Sequence, residues 1–302
     1  MENIKKYQGI FPAFYACYDE SGAVSPERVR AFTEYLIGKG VHGLYVGGSS
    51  GECIYQSVEE RKLLLENVMA ANRGRVTVIA HVACNNTADS RALAAHAERL
   101  GADAIAAIPP IYFHLPPYAV AKYWNDISDA APNTDFVIYN IPQLAGVALT
   151  PALLRQMLEN PRVIGVKNSS MPVQDIEMWR DEGALVFNGP DEQLLSGLAA
   201  GAVGGIGGTY AVMPELYLKI YELVRQGRIG EARRIQDACC HIIYKLCAGK
   251  GNMYAVIKAV LRKLGAPDIG GVRAPLYEIQ PEDAPVVEQA AEMIRSALAE
   301  FC

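Results

Sequence analysis

Two side chains, Tyr139 and Lys167, sit where their types could do covalent chemistry, near the ends of the apolar runs DFVIYNIP and VIGVKNSS. An amine held in apolar surroundings gives up its proton more readily, and the neutral amine attacks carbonyl carbon to form a Schiff base. A phenol beside such an amine can shuttle the protons of carbinolamine formation and carbon–carbon cleavage. Alternation along VIGVKNSS places Gly165, Lys167 and Ser169 on one face, with Ile164, Val166 and Asn168 on the other. In DFVIYNIP it places Val137 with Tyr139, opposite Phe136 and Ile138. Apolar residues on both faces mark strands buried on both sides. The strand alone does not decide whether Lys167 is a buried nucleophile or snorkels to solvent.

Other chemistry-bearing residues close further apolar runs. GGSSGE, Gly47 to Glu52, offers backbone N–H groups and the hydroxyls of Ser49 and Ser50, a set able to hold a carboxylate. The turn GPDE brings Gly189, Asp191 and Glu192; its acidic pair suits the hydroxyl donors of a polyhydroxylated chain, or is a solvated loop. GGIGGTY, with Gly207 and Gly208, reads as a phosphate cradle or as a tight turn. With Ser169 beside Lys167, these are the candidate substrate-binding residues. GGSSGE lacks dinucleotide-fingerprint spacing, and no GxxxxGK[ST] loop exists. His81 and Cys84 are close in sequence, but His42, His96, His114 and His241 do not join them at metal-ligand spacing, so no catalytic metal is expected.

The elements that must position these residues alternate regularly. Strand runs GIFPAFYAC, GLYVGGS, VTVIAHV, AIAAIPP, DFVIYNIP, VIGVKNSS, LVFNG and GGIGG are separated by helical patterns. Ser25 and Pro26 open the first helix, and Ser57 with Glu60 forms a capping box on the second. Eight even βα repeats predict an α/β fold, a (β/α)8 TIM barrel over residues 1–226, whose active site lies at the C-terminal strand ends. Three helical patterns over residues 227–302 predict a C-terminal helical extension.

Composition bounds the function. The chain has 302 residues, 51% hydrophobic and 20% charged, with net charge −5, an enzyme-sized globule without a basic stripe for nucleic acid. Seven widely spaced cysteines read as reduced thiols. The segment MENIKKYQGIF lacks a signal-peptide core, and no apolar run reaches membrane-spanning length, so cytoplasmic residence is expected.

GLYVGGSSGE, AHV, YNIP, GVKNSS, NGPDE and GGIGGTY, in that order, resemble the pyruvate-dependent class I aldolases that include N-acetylneuraminate lyase and dihydrodipicolinate synthase. The resemblance spans almost the whole barrel. It implies that Lys167 forms the Schiff base with a 2-keto acid, that Tyr139 shuttles the proton, and that Ser49 and Ser50 bind the carboxylate. It also implies that Tyr112, in PPIYFH, enters a neighbouring subunit's site within a homotetramer, and that neither cofactor nor metal is needed. Within the family, YNIPQLAGV and SGLAAGAVGGIG are similar to the lyase branch, which implies cleavage of N-acetylneuraminate to pyruvate and N-acetylmannosamine. The synthase branch has an arginine where this chain has Leu144. Pro190 and Gly208 depart from the aromatic residue and serine of the lyase pattern, so another 2-keto-3-deoxy sugar acid stays an alternative substrate. Synthase activity and a keto-acid-binding sensor barrel are the other readings.

Overall fold

The computed structural model describes residues 2–302. Eight strands alternate with helices: β1 Gly9–Pro12, β2 Gly43–Val46, β3 Thr77–His81, β4 Ala104–Ala107, β5 Asp135–Asn140, β6 Val163–Asn168, β7 Leu185–Asn188 and β8 Gly204–Gly207. All pair in parallel in sequence order, and β8 pairs with β1. The remaining seam, between β1 and β2, is closed by His42 N to Ile10 O at 3.0 Å and Phe14 N to Tyr45 O at 2.8 Å. This is a (β/α)8 TIM barrel.

The barrel helices are α1 Pro26–Gly38, α2 Val58–Asn72, α3 Thr87–Arg99, α4 Pro117–Asp129, a one-turn α5 Pro142–Ala145, α6 Pro151–Leu158, α7 Gln174–Asp181, α8 Leu194–Ala199 and α9 Pro214–Arg225. Ser25 accepts from Arg28 N at the start of α1, and the Ser57–Glu60 capping box on α2 has both its bonds. After α9 come α10 Ile229–Leu246, α11 Met253–Lys263 and α12 Ala284–Phe301. Ile235, Cys239, Ile242, Ile243 and Leu246 of α10 are buried in the same apolar cluster as the outer barrel face.

Alternation divides the strand residues between two cores. Phe11, Tyr45, Ile79, Ala106, Val137, Tyr139, Phe187 and Ile206 fill the barrel interior, while Phe136, Ile138 and Val166 face the helices. One expected face is corrected. Phe136 pairs with Val163 but Val137 with Gly165, a bulge that turns Ile164 against the interior cluster rather than beside Val166. The first strand is also shorter than its apolar run, because regular pairing stops at Pro12 and only Ala13 continues as an isolated bridge to Tyr45. The unforeseen α5 follows because Pro142 starts a helical turn that Gly146 ends at φ 71°.

Candidate active site

Lys167 and Tyr139 are register partners across β5 and β6, so the barrel presents them side by side. Their inward aim is set by a polar lock on the opposite face. Asn168 Oδ1 accepts from Asn140 Nδ2 at 2.8 Å and from Trp179 Nε1 at 2.9 Å, while Asn168 Nδ2 donates to Ser170 at 2.9 Å. Fixing Asn168 outward turns its neighbour Lys167 inward.

The amine does not snorkel. Lys167 is 4% exposed, and its Nζ lies 4.2 Å from the centroid of the Tyr45 ring and 4.0 Å from that of Tyr139. Among the described residues it meets no carboxylate and no hydrogen-bond acceptor. Lys258, equally buried at 1% exposure, is the contrast, because Glu52 holds it at 2.9 Å. A lysine used for structure is paired, and the one facing the cavity is not.

That cavity, of about 420 Å³, opens at the C-terminal strand ends. It is lined by Ser49, Ser50, Tyr139, Lys167, Ser169, Gly189, Asp191, Glu192, Gly207 and Gly208 together, as the sequence predicts. The Ser49 and Ser50 N–H groups have no acceptor within the described protein, leaving them available to a carboxylate. Gly47, at φ 75°, makes the turn that exposes them, a conformation that a side chain disfavours.

The acidic pair divides into two roles that the sequence does not separate. Asp191 is 9% exposed, and its Oδ2 accepts from both Thr209 N at 2.7 Å and the Thr209 hydroxyl, which in turn meets Tyr217 OH at 2.6 Å. Gln236 of α10 holds the Asp191 carbonyl at 3.1 Å and donor Leu195 N at 3.0 Å, tying this loop to the extension. Burial pushes the Asp191 carboxyl up to about 6, against the opposing pull of the Thr209 bonds. Glu192 lines the same cavity and has no side-chain partner among the described residues, so its carboxylate is the one open to ligand hydroxyls. A Cβ on Gly207 would sit 1.8 Å from Asp191 Oδ1, so the glycine-rich turn packs against a carboxylate. This decides between the two readings of GGIGG in favour of the tight turn, since an adjoining carboxylate repels phosphate.

Tyr112 is the predicted residue that does not join this cavity. It stands 86% exposed at φ 84°, with Phe113 edge-on at 5.0 Å. Several cavity residues escape the strand-end reading. Tyr15, whose hydroxyl reaches Gly208 O at 3.2 Å, lies past the end of β1 on the interior alternation of Phe11 and Ala13, a signal present in the sequence. Gln143 and Leu144 enter on α5, and Met253 and Tyr254 on α11, where a barrel rule gives no signal. Among the described residues no three His, Cys, Asp or Glu side chains gather as metal ligands.

The model of the dihydrodipicolinate synthetase family matches residues 6–294. The chain belongs to that family. It is 62% identical over its full length to an N-acetylneuraminate lyase from Mediterraneibacter gnavus, covering 96% of that protein. It is 34% identical to an N-acetylneuraminate lyase from Salmonella agona, over 96% of this chain and 98% of the relative. Among solved structures, a catalytic-lysine mutant of the Ruminococcus gnavus sialic acid aldolase superposes with a TM-score of 0.99 at 62% identity, covering 100% of both chains. Family membership thus agrees with the barrel reached from the residues.

Proposed function

We propose that this chain is a class I aldolase that cleaves N-acetylneuraminate to pyruvate and N-acetylmannosamine through a Schiff base on Lys167. The observation that carries the reading is an unpaired amine, 4% exposed, held between two phenol rings on a cavity wall. The names of the relatives support the substrate. The sugar acid opens to its linear keto form, with its carboxylate on Ser49 and Ser50. Lys167 Nζ adds to C2, and loss of water gives the iminium. Tyr139 takes the C4 hydroxyl proton, the C3–C4 bond breaks, and its electron pair moves into the enamine as the aldehyde leaves. A proton at C3 and water at C2 then release pyruvate and restore the amine. No step needs a metal or organic cofactor. Glu192 accepts from the sugar hydroxyls, Ser169 and the backbone at Gly189 and Gly208 border the tail, and Asp191 with Gly207 shapes the loop beneath.

Leu144, 64% exposed at the cavity mouth, offers no charge to a second carboxylate, which disfavours the synthase alternative. Turnover also distinguishes this reading from a sensor barrel. A second substrate reading rests on Pro190 and Gly208, which both line the cavity where the tail lies: shorter 2-keto-3-deoxy sugar acids. A Cβ at Gly208 would lie 3.1 Å from Ser50 Oγ, so a serine there needs Ser50 to give way slightly.

The active species is a homotetramer in this reading, with a second copy covering the exposed patch of Ile54, Tyr112, Phe113 and Tyr118. The positive φ of Tyr112 supports a residue held for a purpose outside its own cavity. Seven free cysteines support a reducing cytoplasm, and no helix among the described residues is long and apolar enough to cross a membrane.

The test is borohydride trapping with pyruvate, expected to add a stable mass that maps to Lys167 and is absent from Lys167→Ala. Label at any other residue defeats the assignment. Pyruvate release from N-acetylneuraminate, measured beside shorter sugar acids and beside condensation of pyruvate with aspartate semialdehyde, ranks the substrates. If only shorter acids are cleaved, an aromatic residue at Pro190 and a serine at Gly208 should recover sialic acid cleavage.

A further inference from the structure

We infer that His81 is a positioning residue: its imidazole ties together the ends of β2, β3 and β4, and so fixes both the Gly47–Ser50 loop and the Tyr139 ring. The inference deepens the proposed aldolase reading and rests on it. His81 is 4% exposed at the end of β3. Its Nε2 faces Ile108 N at 3.4 Å, and its Nδ1 faces Gly47 O at 2.9 Å. A backbone N–H only donates, so Nε2 accepts, and the ring hydrogen belongs on Nδ1, which donates to Gly47 O. One tautomer therefore satisfies both neighbours. Arg61 fixes the same residue from the backbone side, donating to His81 O and Ala83 O at 2.7 Å each.

The consequence falls on two parts of the site. Gly47 is the positive-φ turn that leads into Ser49 and Ser50, whose N–H groups have no acceptor within the described protein, and His81 holds the carbonyl of that turn. The imidazole also stands edge-on to Tyr139, with centroids 6.0 Å apart at 86°, and tilted to Tyr45 at 6.2 Å. Those are the two rings that flank the Lys167 amine. Burial, reinforced by Arg61 and Lys167, holds His81 well below the usual histidine range, so the uncharged ring required by the Ile108 contact persists at working pH. The ring does not line the cavity, which makes it a support for the carboxylate loop rather than a catalytic residue.

Three variants test this in the full chain: His81→Leu, His81→Asn and His81→Gln. The Asn Nδ2 falls where the imidazole Nδ1 lies and keeps the bond to Gly47 O, whereas the Gln amide extends past it toward Ile108. The reading is the pyruvate concentration needed for half-maximal borohydride labelling of Lys167, with kcat and KM for N-acetylneuraminate alongside. His81→Leu and His81→Gln should each raise that concentration about ten-fold, the effect of one lost buried hydrogen bond, with Lys167 still fully labelled at saturation. His81→Asn should return it close to wild type, and KM should move more than kcat. If all soluble variants label at the wild-type concentration, or if Asn and Gln are impaired equally, the positioning role is overturned. If His81→Leu does not fold, the Asn–Gln comparison alone decides. A wild-type protein that pyruvate never labels overturns the Schiff-base reading instead, and this inference with it.

Discussion

In the proposed mechanism, the phenol of Tyr139 separates two steps that share one lysine. Its hydroxyl makes no hydrogen bond to the described protein and lines the cavity beside the amine, which leaves it free for a substrate proton. Tyr139→Phe keeps the ring that flanks Lys167 and removes only the hydroxyl. Turnover should fall about 10²–10⁴-fold while borohydride trapping of pyruvate survives in part, as steady-state and trapping measurements on one preparation will show. Asp191 makes a different prediction, on stability. Its folded-state pKa, about 6, lies above the ordinary 3.8, so between those values the native state binds the proton more tightly than the unfolded chain. The associated stability is fully present below the lower value and lost as pH rises through the upper one. Compared with Asp191→Asn, the wild type should lose roughly 2–3 kcal/mol of unfolding free energy between about pH 4 and 7.5, read from denaturant titrations at both pH values. A flat difference would mean that the carboxyl is better solvated than its burial indicates.

At the scale of elements, the Gly47–Glu52 loop after β2 is clamped to the C-terminal extension. Glu52, at φ 55° and 1% exposed, accepts from Lys258 Nζ of α11 at 2.9 Å and from Arg273 N at 2.8 Å. Tyr18 lies under both cations, 4.9 Å from Lys258 Nζ and 4.6 Å from the Arg273 guanidinium. α11 also carries Met253 and Tyr254 into the cavity, so this one ion pair sets the loop and the helix relative to each other. Lys258→Met should cost on the order of 3–5 kcal/mol, because it strands a buried carboxylate, and Glu52→Gln in the same chain should recover part of that loss. Denaturant unfolding of the single and double variants checks this. Additive losses would show that the pair is not coupled.

For the whole molecule, the proposed assembly covers the aromatic patch around Tyr112. Light scattering at assay concentration should report four copies. Tyr112→Ala should lower kcat/KM by about ten-fold or more if the ring completes a neighbour's site, a loss typical of a removed buried contact. A fully active monomer would remove any role for Tyr112 in a second copy's site.

The sequence by itself determined the barrel, because eight apolar runs separated by capped helices have few other ways to bury both faces of each strand. It also determined most of the cavity wall. Period-2 alternation and the strand-end rule suffice to put Tyr139, Lys167, Ser49, Ser50 and Asp191 at one mouth. Local pattern cannot report what crosses the chain. The bulge at Ile164 comes from pairing between β5 and β6, and the entry of Met253 and Tyr254 comes from how α11 docks. The split between Asp191 and Glu192 depends on residues distant in sequence: Thr209, braced by Tyr217, claims the Asp191 carboxylate, Gln236 holds the Asp191 carbonyl, and the Glu192 carboxylate is left open. Likewise, Lys167 and Lys258 are both lysines in apolar surroundings; only the folded chain gives Glu52 to one and the faces of Tyr45 and Tyr139 to the other. Burial and pairing are properties of three-dimensional neighbours, and those neighbours decide which of two similar side chains holds the fold and which faces the cavity.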